Sequence, residues 1–537
     1  MRQIHPSAWL LVILSAILQV IIFPLPGVYG LCWFAFAPML LALLRARPAG
    51  ELEVTGSVRL LPATPGQGFL LGYACGILWY AGTCYWIYDT MRNFGGLSGP
   101  EAALALFLFC CYLGLYHGFF GLLISLLAGS GRDVRRPLVL APFLWVAVEL
   151  ARTRITGFPW LLLGIAQVDN LALCRIASST GVYGISFEIA LVNVALATAF
   201  LVPRQKRFAL LAAALAAAAV LQAGRLVDAP PSKADRSALL VQQNIPVSAD
   251  WTQPAYLQQT IRDLTELSVN SAASNRTAKI DLLVWPESPA PFFTNDPRFR
   301  EAISGMSRAT NTWTIAGSIG IERSVVTPAK PFNSAALVSP AGDWKARYDK
   351  MHLVPFGEYL PYPSLFAFAG GLTKEVGEFG HGASRKPFDA GDERPGVFIC
   401  YESIFPDEVR QFADQGADVF VNISNDGWYG DSGAYAQHLN QTRMRAVENN
   451  RWILSATDTG VTASIDPWGR VVARIPRKER AALVAPYALT SVTTFYTRHG
   501  DWFAYGCAII SIGAVLMRFM FSKTKSSKKP QKVDVSS

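Results

Sequence analysis

The chain has 537 residues, of which 51% are hydrophobic and only 16% are charged. Soluble domains carry about 25% charged residues, so this composition excludes an ordinary soluble protein. Lys and Arg number 48 against 39 Asp and Glu, a formal net charge of +9. Such an excess is typical either of a nucleic-acid-binding protein or of a membrane protein with basic cytoplasmic loops.

Eight apolar segments predict membrane-spanning helices. Several reach the roughly 20 residues that a span needs. The segments are 8–23, 29–44, 69–88, 102–127, 138–150, 183–202, 209–223 and 502–521. The shortest, 138–150, is interpreted as tilted or re-entrant. The first resembles a signal peptide, but no small-residue cleavage site follows it and further spans do, so we expect it to be retained.

The basic residues predict which side of the membrane is cytoplasmic. They cluster after the second, fourth, sixth and eighth segments, which lie on one side if there are eight spans. These residues are Arg45, Arg47, Arg59, Arg132, Arg135, Arg136, Arg204, Lys206, Arg207, Lys523, Lys525, Lys528, Lys529 and Lys532. The positive-inside rule then places both termini in the cytoplasm, and no nucleic acid is needed to explain the charge.

Residues 226–500 differ from the apolar segments on either side. Short β-branched runs at 238–241, 282–285, 314–319, 335–338, 397–400, 419–422 and 452–456 predict strands. Helical patterns lie between several of them, at 256–272, 297–309, 407–415 and 435–449. This alternation predicts an α/β domain with a sheet that is at least partly parallel. We therefore expect spans one to seven in 1–225, an extracytoplasmic domain in 226–500, the eighth span in 501–521 and a basic cytoplasmic tail in 522–537.

Cys400 is the only cysteine of the 226–500 region. It ends an apolar run that begins at Gly396, and a proline-punctuated segment follows, which predicts a strand turning sharply into a helix. At such an elbow, helix N–H groups are expected to lower the pKa of the thiol and to hold an oxyanion. A lone cysteine in an oxidising compartment indicates a working thiol, whereas the alternative is a small buried hydrophobic residue.

Two other polar residues follow predicted strands. Glu287 ends the run 282–287, and Lys350 lies where a strand runs into a Pro/Gly-rich loop at 348–361. A carboxylate at this position can move a proton, and an ammonium group can stabilise an oxyanion. Each residue alone also has a structural interpretation, as a loop-edge glutamate and as a lysine that protects a strand edge.

Taken together, Glu287, Lys350 and Cys400 resemble the Glu-Lys-Cys triad of the nitrilase (carbon–nitrogen hydrolase) superfamily, which lies on an αββα sandwich. The flanking motifs are similar to those of the apolipoprotein N-acyltransferases, membrane enzymes that complete bacterial lipoproteins. The motifs are GFPWLLLG, WPES, YDKMHLVPFGEYLP, ICYESIFP, NISNDGWYGDSGAYAQHL and RAVENNRWILSATDTG. The resemblance extends over nearly the whole chain.

This resemblance implies a role for each residue of the triad. Cys400 would be the nucleophile, Glu287 the general base and Lys350 the oxyanion stabiliser. The implied reaction has two ping-pong steps. The thiol first takes a fatty acyl chain from a phospholipid, typically phosphatidylethanolamine, as a thioester. The α-amino group of an S-diacylglyceryl-cysteine at the N terminus of an apolipoprotein then accepts the chain.

Further implications concern the surroundings of the triad. Glu358, Tyr401 and Glu402 would support the site, and Trp251 would lie on a loop near the substrate entrance. The implied location is the bacterial inner membrane, with the catalytic domain on the periplasmic side and the protein a monomer. The sequence contains no metal or nucleotide motif, so no cofactor is expected.

Three alternatives remain at this point. A membrane-tethered amidase would use the same triad with water as acceptor. A Cys–His hydrolase would use one of three histidines, His352, His381 or His438. A transporter or receptor would need ionisable residues within its spans, of which Glu188 is the clear case. We expect Glu188 to face the bundle interior or a hydrated cleft and to be bonded to a neighbour.

Overall fold

The computed structural model describes residues 3–49, 60–129, 134–202, 204–275, 279–322, 330–361 and 378–526. Within them, helices dominate up to residue 226 and from residue 502 onward, and the longer strands all lie between 236 and 487. Arg2, Arg59, Arg132 and residues 527–537 of the basic tail lie outside the described residues.

Helices occur at all eight predicted apolar segments. Among the described residues, the helices of the chain are α1 Pro6–Ile21, α2 Cys32–Ala35, α3 Ala37–Leu44, α4 Pro65–Thr83, α5 Trp86–Asn93, α6 Gly99–Ala128, α7 Arg135–Ala151, α8 Leu171–Cys174, α9 Ala177–Thr180, α10 Val182–Leu201, α11 Arg204–Ala223, α12 Pro254–Ser274, α13 Pro297–Thr310, α14 Pro406–Asp414, α15 Ala434–Asn449, α16 Phe495–His499 and α17 Trp502–Ser526. Within the described residues, four helical stretches are long and apolar enough to cross a membrane: Gly99–Ala128, Val182–Leu201, Gln205–Leu226 and Trp502–Met520. Pro6–Ile21 and Tyr29–Leu44 are shorter apolar helices.

Helices α4 and α6 pack with their backbones in close contact. A Cβ atom on Gly72 would lie 2.2 Å from the carbonyl oxygen of His117, and one on Gly121 would lie 2.1 Å from that of Gly68. Only glycine allows helices to approach this closely, as in helix pairs within membranes. The glycines of the two segments therefore fix this helix pair.

The last helix, α17, packs beside helices from much earlier in the chain. It lies against α7, and the rings of Phe503 and Phe187 on α10 are 5.5 Å apart. Arg518 also donates to the carbonyl oxygen of Leu126 in α6, at 3.4 Å. The C-terminal helix thus belongs to the same bundle as the N-terminal ones.

Strands between 236 and 487 form two mixed sheets. The strands of the described residues are β1 Arg47–Pro48, β2 Leu60–Leu61, β3 Arg236–Gln242, β4 Leu282–Val284, β5 Trp313–Glu322, β6 Lys330–Val338, β7 Trp344–Asp349, β8 Pro395–Ile399, β9 Val419–Ser424, β10 Ile453–Thr457, β11 Thr462–Ile465, β12 Val471–Ile475 and β13 Ala481–Tyr487. One sheet has the order β13-β3-β4-β5-β6-β7 and the other β12-β11-β10-β9-β8. The pairs β3/β4, β4/β5, β8/β9 and β9/β10 are parallel, which confirms the predicted partly parallel character. Strands β11, β12 and β13 were not predicted.

The two sheets form the middle layers of a four-layer domain. Because side chains alternate along a strand, Ala238 and Leu240 of β3 enter the core between the sheets, where they join Val397 and Val421. Leu239 of the same strand instead packs under α12 and α13. Helices α14 and α15 cover the other sheet, through residues such as Phe412 and Ala446. The arrangement is the expected αββα sandwich.

Glu188 does not have the expected partner. It is half-buried on α10 and makes no hydrogen bond or ion pair among the described residues. Asn193 on the same helix is instead buried and accepts from the N–H groups of Phe36 and Ala37. The buried ionisable residues of the bundle are others, notably His117 and Glu149, each 3% exposed. The expectation of a bonded Glu188 is therefore wrong.

Candidate active site

Cys400 lies at the predicted elbow. Buried strand β8 ends at Ile399, a 3-10 turn spans Cys400–Ile404, and α14 begins at Pro406. The Cys400 backbone has φ 48°, a left-handed conformation that costs a non-glycine residue about 1–3 kcal/mol. The surrounding fold therefore holds this residue in a strained position, with its side chain buried.

Glu287 is held just beyond the end of β4. The loop that carries it crosses β5 at Gly317, where a Cβ atom would lie 1.9 Å from the carbonyl oxygen of Pro286. Both carboxylate oxygens of Glu287 are hydrogen-bonded: Asn333 Nδ2 donates to Oε1 at 2.6 Å, and the N–H of Asn425 donates to Oε2 at 2.8 Å. The orientation of this carboxylate is therefore fixed by three separate segments.

Lys350 follows β7 and is only 1% exposed. Its Nζ lies 3.0 Å from Glu358 Oε1 and 3.5 Å from Glu287 Oε1. Burial alone would lower the pKa of Lys350, but Glu358 and Glu287 outweigh it, so the pKa is raised above its ordinary value. The site thus keeps a charged ammonium group between two carboxylates.

The electrostatic surroundings of Cys400 correct one prediction. Burial raises the pKa of the Cys400 thiol, Glu287 raises it further, and Lys350 opposes this rise. The net direction is upward, so the expected lowering by helix N–H groups is wrong, because desolvation of the thiolate dominates. A thiol of this kind needs a base at the moment of attack, and of the two carboxylates that raise its pKa, Glu287 and Asp426, Glu287 has the larger effect.

Two more of the predicted residues brace the elbow. Glu402 is 1% exposed and accepts from Tyr348 Oη at 2.7 Å and from the N–H groups of Met351 and Ile399. It thereby ties the turn after β8 to the chain next to Lys350. Tyr401 donates its hydroxyl to the carbonyl oxygen of Gly157, in the helix bundle, at 3.1 Å.

Trp251 is not brought together with the other predicted residues. It is half-buried in the loop before α12, with its ring 5.1 Å from that of Tyr256, and it packs against the core under α12 and α13. Among the described residues it makes no hydrogen bond to the triad, so its predicted place at a substrate entrance stays a prediction.

The bundle contacts the catalytic domain next to this site. Trp160 donates to Gln437 Oε1 at 2.7 Å, and the N–H of Val182 donates to Glu448 Oε1 at 3.0 Å. Both acceptors lie on α15, and Tyr401 belongs to the same apolar core as the bundle. The segment Gly157–Trp160 (GFPW) and helix α15 therefore connect the turn at Cys400 directly to the helix bundle.

The three histidines of the Cys–His alternative bind other groups. His352 lies 2.8 Å from Glu408 and His381 3.1 Å from the carbonyl oxygen of Met351. His438 contacts the carbonyl oxygen of Cys400. Within the described part of the chain, none of them makes a hydrogen bond to the Cys400 thiol.

Sequence reasoning missed two groups of the site. Asn333 bridges Glu287 and Glu358, with Nδ2 2.6 Å from an oxygen of each. Asn425 contributes only its backbone N–H. Asn333 lies just before the predicted strand 335–338, inside the longer strand β6 that the structure shows, and neither a single polar residue there nor a backbone group carries a signal in a single sequence. Only the presence of Asn425 in the NISNDGWYG motif pointed toward it.

Comparison with known proteins identifies both halves of the chain. The carbon-nitrogen hydrolase family model matches residues 238–496, and the model of the apolipoprotein N-acyltransferase N-terminal domain matches residues 15–195. The crystal structure of an amidase from Nesterenkonia sp. matches at 17% identity with a TM-score of 0.37, over 51% of this chain and 97% of the amidase.

Full-length relatives carry the same two parts. An apolipoprotein N-acyltransferase from Geobacter metallireducens is 36% identical over 527 residues, 96% of each chain. One from Methylococcus capsulatus is 32% identical over 490 residues, 90% of this chain and 94% of the relative. A bundle of apolar helices carrying a nitrilase-type domain, together with this identity over almost the full length, shows that the chain belongs to the apolipoprotein N-acyltransferase family.

Proposed function

We propose that this protein transfers a fatty acyl chain from a phospholipid to the α-amino group of the S-diacylglyceryl-cysteine of an apolipoprotein, through a thioester on Cys400. The observation that carries the proposal is the buried grouping of Cys400, Lys350 and Glu287 next to the helix bundle. Relatives named as N-acyltransferases favour it over an amidase that uses water.

The first step forms the thioester. Glu287 takes the proton of the Cys400 thiol while the sulfur attacks the ester carbonyl carbon of the phospholipid. Lys350 stabilises the negative charge that develops on the carbonyl oxygen. The ester C–O bond then breaks, Glu287 returns the proton to the glycerol oxygen, and a lysophospholipid leaves.

The second step transfers the chain to the acceptor. The amine nitrogen attacks the thioester carbonyl carbon, Glu287 takes a proton from the nitrogen, the C–S bond breaks, and the proton goes to the sulfur. Exclusion of water from the buried site protects the thioester between the two steps. Glu358 fixes Lys350, Glu402 and Tyr401 fix the elbow, and Trp251 borders the substrate entrance.

The proposed setting follows from the apolar helices. Eight spans, made by residues 1–225 and 501–521, place both termini in the cytoplasm of the bacterial cell and the 226–500 domain on the periplasmic face of the inner membrane. Phosphatidylethanolamine is the proposed donor, and the protein acts as a monomer. A reporter that is active only outside the cytoplasm should stay silent after Ser537 and be active when inserted near Asn275. The opposite pattern would refute the eight-span arrangement.

The reaction itself can be tested by trapping the intermediate. Purified protein is incubated with phospholipid labelled in its acyl chain, without acceptor, and quenched. We expect label on the Cys400 peptide that hydroxylamine removes, and we expect none on the Cys400→Ala variant. Adding a diacylglyceryl-cysteine peptide should move the label to that peptide. Release of free fatty acid without transfer to the peptide would instead support the amidase alternative.

A further inference from the structure

His438 is hydrogen-bonded to the backbone of the proposed nucleophile. It is a buried residue of α15. Its Nε2 lies 3.1 Å from the carbonyl oxygen of Cys400 and 2.8 Å from Ser403 Oγ. Its Nδ1 lies 3.0 Å from Asp426 Oδ1, an oxygen that also accepts from the Ser424 hydroxyl. Both ring nitrogens therefore face oxygen atoms.

These partners select one protonation state. A carbonyl oxygen and a carboxylate only accept hydrogen bonds. A neutral ring protonated on Nε2 would direct its Nδ1 lone pair at the Asp426 carboxylate, and a neutral ring protonated on Nδ1 could accept from the Ser403 hydroxyl at Nε2 but would leave the Cys400 carbonyl without a donor from His438. Only the imidazolium donates at both ends, from Nδ1 to Asp426 and from Nε2 to Cys400, with Ser403 sharing the second proton.

The charges around the ring agree with this state. Burial of His438 opposes a positive charge on its ring, but the neighbouring Asp426 carboxylate favours that charge and outweighs burial. The carbonyl of Cys400 and the carboxylate of Glu287 favour it as well, so the pKa of His438 is raised above its ordinary value. The aromatic neighbours are Tyr429, with ring centroids 5.7 Å apart, and the parallel ring of Trp160 at 6.2 Å.

Anchoring the Cys400 carbonyl has a mechanical purpose. The residue has φ 48°, and such a conformation persists only where its surroundings fix it. On one side of His438 lies this elbow, and on the other lies Trp160 of the bundle, which also bonds α15 through Gln437. The imidazole thus connects the membrane half of the chain to the backbone of the nucleophile.

We propose that His438 is a positioning residue for acyl transfer: as an imidazolium held by Asp426, it fixes the Cys400 carbonyl and keeps the nucleophile in its left-handed conformation. It does not act as the base, a role that belongs to Glu287. The inference rests on the proposed thioester chemistry of Cys400. The measurements below distinguish a failure of the positioning role from a failure of that chemistry.

The first measurement compares two substitutions of His438 with a matched control. His438→Leu removes both hydrogen bonds, and because hydrogen bonds to charged groups contribute about 1.5–3 kcal/mol, thioester formation should slow by about 10- to 100-fold. His438→Gln keeps an amide donor for the Cys400 carbonyl and should lie between His438→Leu and the wild type. His499→Gln, an exposed histidine, should leave the rate unchanged. The phospholipid concentration at half-maximal rate should stay constant in all three variants.

The second measurement is the pH dependence of thioester formation. A raised pKa means that the imidazolium is present at low pH and is lost as the pH rises through that pKa. Asp426→Asn removes the charge that raises the pKa, so its rate should decline at lower pH than the wild-type rate does. His438→Gln has no imidazolium to lose and should lack this decline. A residue with only a packing role would not shift the profile.

The third measurement does not require acyl transfer. Iodoacetamide alkylation of Cys400, followed on its peptide by mass spectrometry, should slow in His438→Leu and in His438→Gln, because each removes a positive charge near the thiolate and leaves Asp426, which raises the pKa of the thiol, without its cation. If the wild type forms no thioester but these differences remain, the acyltransferase proposal fails and the positioning role stands. If both His438 variants acylate and alkylate like the wild type, or if Asp426→Asn keeps the wild-type pH profile, the positioning role is refuted. Should His438→Leu fail to fold, Asp426→Asn and His438→Gln still decide the outcome.

Discussion

The candidate active site and the centre of the helix bundle both bury ionisable side chains, but these side chains differ in how completely they are hydrogen-bonded. In the active site, Glu287, Glu358 and Glu402 each have both carboxylate oxygens hydrogen-bonded. In the bundle, Glu149 has one bonded oxygen, through the N–H of Leu163. Its other oxygen and both ring nitrogens of His117 have no partner among the described residues.

The bundle groups also border free space. His117, Glu149 and Arg152 line a cavity of about 20 Å³ that reaches Leu161 and Leu163, next to the GFPW segment. A fully bonded network loses stabilisation whenever one member changes, whereas a partly bonded one has fewer interactions to lose. The comparison teaches that burial of a carboxylate does not by itself identify a catalytic group, because buried carboxylates of the two regions differ in how completely they are hydrogen-bonded.

The largest expected effect tests this distinction in the reaction. Glu287→Gln would remove the proposed base and present an amide nitrogen to one of its two donors, so thioester formation should fall by about 10²–10⁴-fold. Glu149→Gln, the same substitution at a buried carboxylate of the bundle, should keep most of its rate. The initial rate of labelling of Cys400 by acyl-labelled phospholipid measures both. Equal losses would remove the distinction between the two regions.

A somewhat smaller loss is expected for the cation of the site. Lys350→Met would remove the charge proposed to face the tetrahedral intermediate, and one lost oxyanion donor costs about 10²–10³-fold in rate. Because Lys350 and Glu287 act as one unit, the double variant should be little slower than the slower single one. The same labelling assay measures this. Losses that multiply fully in the double variant would show two independent groups instead.

The two regions should also differ in how much a Glu→Gln substitution lowers the free energy of unfolding. Glu402→Gln would turn an amide nitrogen toward backbone N–H donors or the Tyr348 hydroxyl, with an expected loss of about 1.5–3 kcal/mol in the free energy of unfolding. Glu149→Gln keeps the acceptor for Leu163, and its second oxygen had no donor to lose, so the unfolding free energy should change little. Denaturant unfolding in detergent measures both, and a larger loss at Glu149 would contradict the comparison.

Per pH unit, the smallest effect concerns an exception inside the 226–500 domain. Asp458 accepts from the N–H of Ile245 at 3.1 Å, but its Oδ2 has no partner among the described residues, and burial raises the pKa of Asp458 to about 8. The folded state then holds a proton that the unfolded state has already released above about pH 4. This group therefore makes stability fall with rising pH between about 4 and 8, by at most about 1.4 kcal/mol per pH unit.

Asp458→Asn cannot ionise and should flatten that slope. The informative quantity is the difference in unfolding free energy between wild type and variant at several pH values, since other groups contribute equally to both. The unfolding free energy of the variant should increase relative to that of the wild type as the pH rises toward 8. A difference that does not depend on pH would mean that Asp458 is ionised in the folded protein and has a partner.

The sequence predicted the parts of this protein that local patterns encode. Strand and helix periodicity located β3 to β6, β8 to β10 and the helices between them, and the motifs around Glu287, Lys350 and Cys400 identified three residues that the fold does bring together. Each of these motifs places a reactive or charged residue at the end of a predicted strand, where it can be recognised from the sequence alone. The short strands β11, β12 and β13 were missed. Strand β13 pairs with β3, which is distant in the chain, whereas β11 and β12 pair with near neighbours and are short runs that mix polar with apolar residues.

Burial within the bundle could not be predicted in the same way. Glu149 stands near the end of an apolar segment and has the appearance of a boundary residue, yet it is 3% exposed. Glu188 interrupts its apolar segment, yet it lies half-buried and has no hydrogen-bond or ion-pair partner among the residues that the structure describes. Hydropathy reports how apolar a segment is, but the direction in which one side chain points depends on the neighbouring helices.

Helix α17 follows the strands of the two sheets in the chain, so the helix bundle is completed only after those strands have been synthesised. The ribosome makes α1 to α11 first and then every strand of the catalytic domain, and only afterwards the helix that packs against α7. Since domains fold as they are synthesised, the surface of α7 that α17 covers stays open while the two sheets assemble. Loss of the final helix would therefore leave a finished catalytic domain on an unfinished bundle, with the flank of α7 exposed to lipid or to another chain.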